Sequence, residues 1–174
     1  MYQLYSKFSF ILFSLILSGC SSIQHYEKTN ITLGTHLQAS IGSSIFQISK
    51  TKDLPNAFGS ADIYGGKVNT GYSDLRFMGL SSNKELIFRF TDIVIDSNET
   101  TMSRYGTNVT HVNSDNWGNL TATTYSKPTS STYQLPPNTV EFKVPKDKKT
   151  LPINGYTVQI LNANEYSIEY IVTK

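Results

Sequence analysis

The side chains of this 174-residue sequence that could carry hydrolytic chemistry are the carboxylates Asp92, Asp96 and Glu99, and His111 in a serine-rich chain. On an extended strand, Asp92 and Asp96 would share one face about 13 Å apart, whereas glycoside hydrolysis uses carboxyl groups about 5 to 9.5 Å apart. There is no G-x-S-x-G motif, and no carboxylate is placed to orient His36 or His111 as a catalytic base. The sequence therefore predicts no catalytic residues and a protein that is not an enzyme.

Metal ligands are equally sparse. The three histidines are dispersed, the single cysteine has no partner thiol, and Asp-rich calcium loops are absent from the sequence. The sequence therefore predicts neither a metal site nor a cofactor.

The single cysteine, Cys20, ends the segment Leu17-Ser18-Gly19-Cys20. A polar start with Lys7 and an apolar run from Phe8 to Leu17 precede it, and this layout is typical of a cleaved secretion signal. The apolar run has ten residues, fewer than the roughly 20 that a transmembrane helix needs. The tetrapeptide resembles the lipobox of bacterial lipoproteins.

That resemblance implies cleavage before Cys20, a diacylglycerol thioether on its sulfur, and acylation of the new amino terminus. Several acyl chains hold a protein on a bilayer almost permanently, which a single chain does not. Ser21 after the cysteine, in place of Asp, implies sorting to the outer membrane, with the protein facing the periplasm or the cell surface. The alternatives are an ordinary secretion signal with an incidental Cys20 and a short uncleaved anchor.

The sequence divides into a signal peptide over residues 1–19, a polar lipidated tether over 20–30, and one β-rich domain over 31–174. The whole chain has 15 basic and 13 acidic residues, and loss of Lys7 with the signal leaves 14 basic residues and a net charge of +1. A nucleic-acid-binding protein would show a clustered basic face, so this class is not expected.

Apolar residues alternate in short runs separated by Gly, Pro, Asn and Ser, which indicates strands and turns. Strands are expected at 32–40, 44–50, 72–80 and 84–96, and around Val140–Val144, Tyr156–Ile160 and Tyr166–Val172. Turns are expected at 54–59 and 65–66. Because the alternation slips within 84–96, a β-bulge or a corner is expected near Thr91-Asp92. The predicted fold class is all-β, an antiparallel β-sandwich or a small barrel-like domain.

Residues 97–138 differ in composition, because 21 of these 42 residues are Ser, Thr or Asn and only four are charged. Within this stretch Tyr105, Trp117, Tyr125 and Tyr133 form a candidate binding surface, since aromatic rings rimmed by polar groups are common at interfaces. The alternative is that these rings cover the ends of the core.

A second candidate surface is a basic loop with Lys146, Lys148 and Lys149, next to Lys143. These ammonium groups could bind lipid headgroups, lipopolysaccharide phosphates or glycan carboxylates. The alternative is a solvated hairpin loop.

The segments 54–59 and 97–104 also resemble stretches of uncharacterised proteobacterial envelope lipoproteins, a resemblance that implies no activity. Together these features predict an outer-membrane lipoprotein that is a binding or structural module, held to the membrane by Cys20 and in contact with another envelope protein. Two alternatives stay open, a hydrolase of peptidoglycan or polysaccharide and a lipoprotein that blocks a lysozyme-like enzyme or a phage receptor.

Overall fold

The computed structural model describes residues 21–115 and 119–174, which form twelve strands and one short helix. The strands are β1 (His25–Thr29), β2 (His36–Ser40), β3 (Ser44–Asp53), β4 (Lys67–Leu80), β5 (Leu86–Ser97), β6 (Val109–Ser114), β7 (Leu120–Tyr125), β8 (Thr132–Gln134), β9 (Asn138–Val144), β10 (Thr150–Ile153), β11 (Tyr156–Ala163) and β12 (Ser167–Thr173), and the helix is α1 (Thr101–Tyr105). Among the described residues, no helix is long and apolar enough to span a membrane.

Two sheets build the main core. One has the order β1-β3-β4-β5-β8, with β9 also paired to β5, and the other has the order β10-β11-β12-β2. The pairs β4–β5, β5–β9, β10–β11, β11–β12 and β12–β2 are antiparallel. Apolar side chains of both sheets share one buried cluster, in which the rings of Phe46 and Tyr156 lie 5.5 Å apart. The predicted all-β antiparallel class is therefore confirmed, and the fold is sandwich-like.

The described residues form two compact units. The described part of the first unit comprises residues 21–25, 52–68, 97–115 and 119–132, and the second comprises 26–51, 69–96 and 133–174. The sandwich core lies in the second unit. Because each unit draws on separate segments of the chain, no linker composition marks a boundary between them in the sequence.

Part of the predicted tether over 20–30 is sheet. Residues 25–29 form β1, which is hydrogen-bonded to β3 at the edge of the six-stranded sheet. Four of its five residues are exposed. An edge strand can pair through backbone hydrogen bonds without a continuous apolar face, so the polar composition of this stretch predicted a tether.

The prediction of a β-bulge near Thr91-Asp92 is wrong. The β5 strand keeps one register with β4 from Phe88 to Val94 and with β9 from Leu86 to Asp92. The register shift lies instead in β4, between Phe77 and Gly79. The strand buries opposite faces at its two ends, which produces the slip in alternation without an extra residue.

Candidate functional site

The first unit carries a cluster of exposed apolar side chains on two segments. Phe58, Ile63 and Tyr64 of the loop 54–66 are 92%, 82% and 84% exposed, and Met102 and Tyr105 of α1 are about half exposed. All five line one open cavity of about 380 Å³. We call these five residues the loop–helix surface. Contiguous exposed apolar patches mark interaction sites in soluble domains, unlike apolar residues scattered singly.

The loop is held by the side chain of Asn56. Its Oδ1 accepts hydrogen bonds from the backbone N–H groups of Phe58 at 2.9 Å and Ser60 at 3.0 Å. The backbone N–H of Asn56 also donates to the Ser60 carbonyl at 2.8 Å. Asn and Asp side chains make such local bonds in turns, so the turn expected at 54–59 is present. The bonds fix the backbone from which Phe58 projects into solvent.

Asp62 holds the second half of the loop in the same way. This buried carboxylate accepts hydrogen bonds from the N–H of Tyr64 at 3.2 Å and of Gly66 at 3.0 Å. A Cβ at position 66 would lie 2.7 Å from Asp62 Oδ2 and 3.0 Å from Leu54 Cδ2, so a larger residue there would displace the Asp62 carboxylate or the Leu54 side chain. Asn56 and Asp62 therefore use their side chains to hold the loop, while Phe58, Ile63 and Tyr64 face solvent.

A capping box starts α1, because Thr100 and Ser103 exchange hydrogen bonds between side chain and backbone. Two bonds of 2.7 Å join the Arg104 guanidinium to the Glu99 carboxylate, and Arg104 also donates to the Lys67 carbonyl at 2.9 Å. Hydrogen bonding to Arg104 lowers the pKa of Glu99, and the same bonds raise the pKa of Arg104.

The helix is also tied to the loop. The Thr101 N–H, which has no partner within a helix that starts there, donates to the Pro55 carbonyl at 2.8 Å. Several hydrogen bonds thus fix the backbone of both segments that carry the loop–helix surface.

The second feature of the first unit is the hairpin β6–β7. Its strands pair in one antiparallel register of six residue pairs, from Val109 with Tyr125 to Ser114 with Leu120. Thr110 and Thr124 share a hydroxyl hydrogen bond of 2.9 Å, and the rings of His111 and Tyr125 meet edge to face at 5.8 Å. Every residue of both strands is exposed.

The four aromatic residues of the predicted binding surface lie in different surroundings. Tyr105 belongs to the loop–helix surface, Tyr125 lies on the hairpin, and Trp117 lies outside the described residues. Tyr133 belongs to the second unit, where its hydroxyl donates to Asp96 Oδ2 at 2.9 Å, and this bond raises the pKa of Tyr133.

Of the other predicted site residues, Cys20 lies outside the described residues. Lys146, Lys148 and Lys149 are exposed in the connection between β9 and β10. Lys146 also lines a cavity of about 360 Å³ in the second unit, together with Lys84, Glu165 and Tyr166. A carboxylate shares this cavity with the two ammonium groups, so it is not uniformly basic.

The side chains considered for hydrolysis are each engaged separately. Asp92 accepts hydrogen bonds from Lys50 at 2.6 Å and Ser73 at 2.7 Å, Asp96 binds Tyr133, Glu99 binds Arg104, and His111 packs on Tyr125. Across residues 21–115 and 119–174, no group of three or more His, Cys, Asp or Glu side chains is arranged to hold a metal ion.

Sequence reasoning missed Phe58, Ile63 and Tyr64. The sequence does contain a pattern that indicates them. These large apolar residues lie among Asn56, Gly59, Gly65 and Gly66, in a stretch too rich in turn residues to form a strand. An apolar residue that cannot belong to a buried strand either covers the core from a loop or is exposed.

Comparisons with protein-family models, with curated proteins and with solved structures find no match to this chain. The fold and the site therefore define its class on their own. It is an all-β protein with an antiparallel sandwich-like core, and its first unit carries an apolar loop–helix surface and an exposed hairpin.

Proposed function

We propose that this chain is a lipid-anchored protein of the bacterial outer membrane and that it acts without catalysis, as a module that binds another envelope protein. The anchor is Cys20, and this part of the proposal rests on the lipobox resemblance of Leu17-Ser18-Gly19-Cys20. The binding element is the hairpin β6–β7. The single observation that carries the binding role is that the two strands of this hairpin are regular in register, uncharged and exposed at every residue.

Exposed strand edges usually carry protection against pairing with other chains, such as lysines, prolines or bulges. The strands VTHVNS and LTATTY contain no Asp, Glu, Lys, Arg or Pro, and their register has no shift. In the part of the chain that the structure describes, β6 and β7 pair only with each other. Each strand therefore offers one open edge of backbone N–H and C=O groups.

A hairpin of two strands is only marginally stable in water, and a third strand stabilises it. Addition of an extended segment of a partner protein would supply this third strand. The main chain of the segment makes hydrogen bonds to the edge of the hairpin, and its side chains contact those of the hairpin. Here the threonine hydroxyls and the His111–Tyr125 pair would provide specificity. The absence of charge on both strands favours a partner recognised by backbone and shape over one recognised by salt bridges.

The binding role is tested with a photo-crosslinking amino acid in place of Val112, whose side chain is 61% exposed. In intact cells, irradiation should join the chain to a second envelope protein. The double change Thr121→Lys with Thr123→Lys should remove most of this product, because lysines on an edge strand oppose strand addition. Thr121→Ser with Thr123→Ser, which adds no charge, should retain the product.

Two results would contradict the binding role. One is a product whose yield the lysines leave unchanged, and the other is a product with twice the mass of this chain, which would indicate self-association instead. Circular dichroism of each variant establishes that the sandwich is still folded.

The anchoring part has a separate measurement. Mass spectrometry of the native protein should find acyl chains on residue 20 and no Met1. Cys20→Ala should remove the acyl chains and abolish the Val112 crosslink in cells. A protein that retains Met1, or lacks fatty acids at residue 20, would refute anchoring whatever the hairpin binds.

A further inference from the structure

The first described residues of the chain are bonded to the loop that carries the apolar surface. The Ser21 carbonyl accepts a hydrogen bond from the Ala61 N–H at 3.1 Å. Two further bonds of 2.9 Å join Gln24 and Asp53: the Asp53 N–H donates to the Gln24 carbonyl, and the Gln24 N–H donates to the Asp53 carboxylate. Residues 21–24 therefore do not lift the first unit away from residue 20 as a free tether would.

Chain geometry then limits the distance between the lipidation residue and the surface. Cys20 is covalently joined to Ser21, and Ile63 follows Ala61 by two residues. With standard backbone dimensions, the hydrogen bond between Ala61 and Ser21 keeps the Cα atoms of Ser21 and Ile63 within about 15 Å of each other. A lipid on Cys20 thus enters its membrane close to Phe58, Ile63 and Tyr64.

The chemistry of the loop–helix surface suits the boundary between headgroups and acyl chains. Ile63, Met102 and Phe58 are apolar, while Tyr64 and Tyr105 combine an apolar ring with a hydroxyl that prefers a wet environment. Tyrosine is enriched at membrane interfaces for this reason. These side chains are up to 92% exposed, so contact with lipid would remove a large apolar area from water.

The charges around the surface do not oppose contact with lipid. Among the described residues that line the cavity, Asp62 is the one with a charge, and both of its carboxylate oxygens accept backbone hydrogen bonds. The nearby Arg104 is paired with Glu99. Burial of the loop–helix surface against lipid therefore removes no unpaired charge from water. Removal of such a charge from water would cost several kcal/mol.

We propose that the loop–helix surface lies in the interface of the same membrane that holds the Cys20 lipid. This inference rests on the anchoring part of the proposed function. The acyl chains keep the surface near the bilayer, so a contact too weak to bind a free protein is sufficient. The first unit is then held at two points, the lipid and the loop–helix surface, and cannot rotate freely about the anchor.

The test uses the full-length lipidated protein in phosphatidylethanolamine–phosphatidylglycerol vesicles that contain a lipid with a nitroxide on its acyl chain. Since Cys20 is the sole cysteine and its sulfur carries the lipid, one new cysteine can be labelled with a polarity-sensitive fluorophore. Tyr64→Cys reports on the surface, and Tyr166→Cys is its control. These side chains are 84% and 73% exposed, so neither change disturbs the core.

The label at residue 64 should show blue-shifted emission and lose intensity to the nitroxide lipid, and the label at residue 166 should do neither. Emission typical of water at residue 64, or equal quenching at both positions, would overturn membrane docking. Mass spectrometry of the same samples separates the two proposals. A lipidated protein with an unquenched label at residue 64 refutes the docking alone, and a protein without acyl chains refutes the anchoring and the docking together.

Discussion

The hydroxyl of Tyr170 donates a hydrogen bond of 2.6 Å to the backbone carbonyl of Ile45, in the interior of the second unit. Tyr170 lies on β12 of the four-stranded sheet and Ile45 on β3 of the six-stranded sheet. Burial raises the pKa of Tyr170, so the phenol stays protonated and remains a donor. This bond joins the two layers through a polar contact inside an otherwise apolar cluster.

The change Tyr170→Phe should destabilise the protein by about 1 to 3 kcal/mol, because it removes one partner of a buried hydrogen bond and keeps the ring. Urea unfolding followed by circular dichroism measures this loss. Tyr166→Phe is the matched control, since that hydroxyl belongs to a side chain that is 73% exposed, and it should change the free energy of unfolding by less than about 0.5 kcal/mol. Equal effects of the two changes would show that the hydrogen bond to Ile45 adds nothing to the free energy of unfolding beyond what an exposed hydroxyl adds.

Alternation of apolar residues predicted the strands that contribute side chains to the buried cluster, including β3, β4, β5, β9, β11 and β12. It could not predict β1, β6 or β7, because most of their side chains are exposed and pairing depends on the backbone. The division into two units could not be predicted from the sequence either, because it depends on which distant segments pack together.

The candidate surface was predicted only in part, for a related reason. Composition drew attention to residues 97–138 and so to Tyr105, but the loop 54–66 that joins it is more than 30 residues away in the sequence. Tertiary contacts, such as the hydrogen bond from Thr101 to Pro55, make the two segments one surface. Contacts between such distant segments depend on tertiary packing, which local patterns do not encode.

The ion pair of Arg104 with Glu99 should be important for the loop–helix surface. Arg104→Ala removes two bonds to a carboxylate whose side chain is 24% exposed and one bond to the Lys67 carbonyl. Hydrogen bonds to charged groups are each worth about 1.5 to 3 kcal/mol, less where water competes, so a loss of about 1 to 3 kcal/mol is expected. Amide hydrogen exchange should accelerate in α1 and in the loop 54–66.

The matched control is Arg89→Ala. Arg89 binds Glu141 at 3.0 Å, but both side chains are more than 40% exposed, so the loss should stay below about 1 kcal/mol. If the two arginine changes cost the same, the pair at α1 behaves as an ordinary surface ion pair and does not hold the loop–helix surface in place.

Stability should depend on pH through Asp92. Burial alone would raise its pKa, but the hydrogen bonds from Lys50 and Ser73 and the charge of Lys50 outweigh burial and lower the pKa below 3.8. A carboxyl whose pKa is lower in the folded state stabilises the fold fully above its unfolded pKa and loses this effect as the pH falls through its folded value. Asp92→Asn should therefore lower the free energy of unfolding by about 1 to 2 kcal/mol near pH 7, and this difference from the native protein should disappear as the pH falls well below 3.8.

Urea unfolding at several pH values measures this gap in the free energy of unfolding. The control is Asp147→Asn, at an exposed position, which should show almost no gap at any pH. A gap that is constant from pH 7 to pH 2.5 would mean that the charge of Asp92 does not stabilise the folded state.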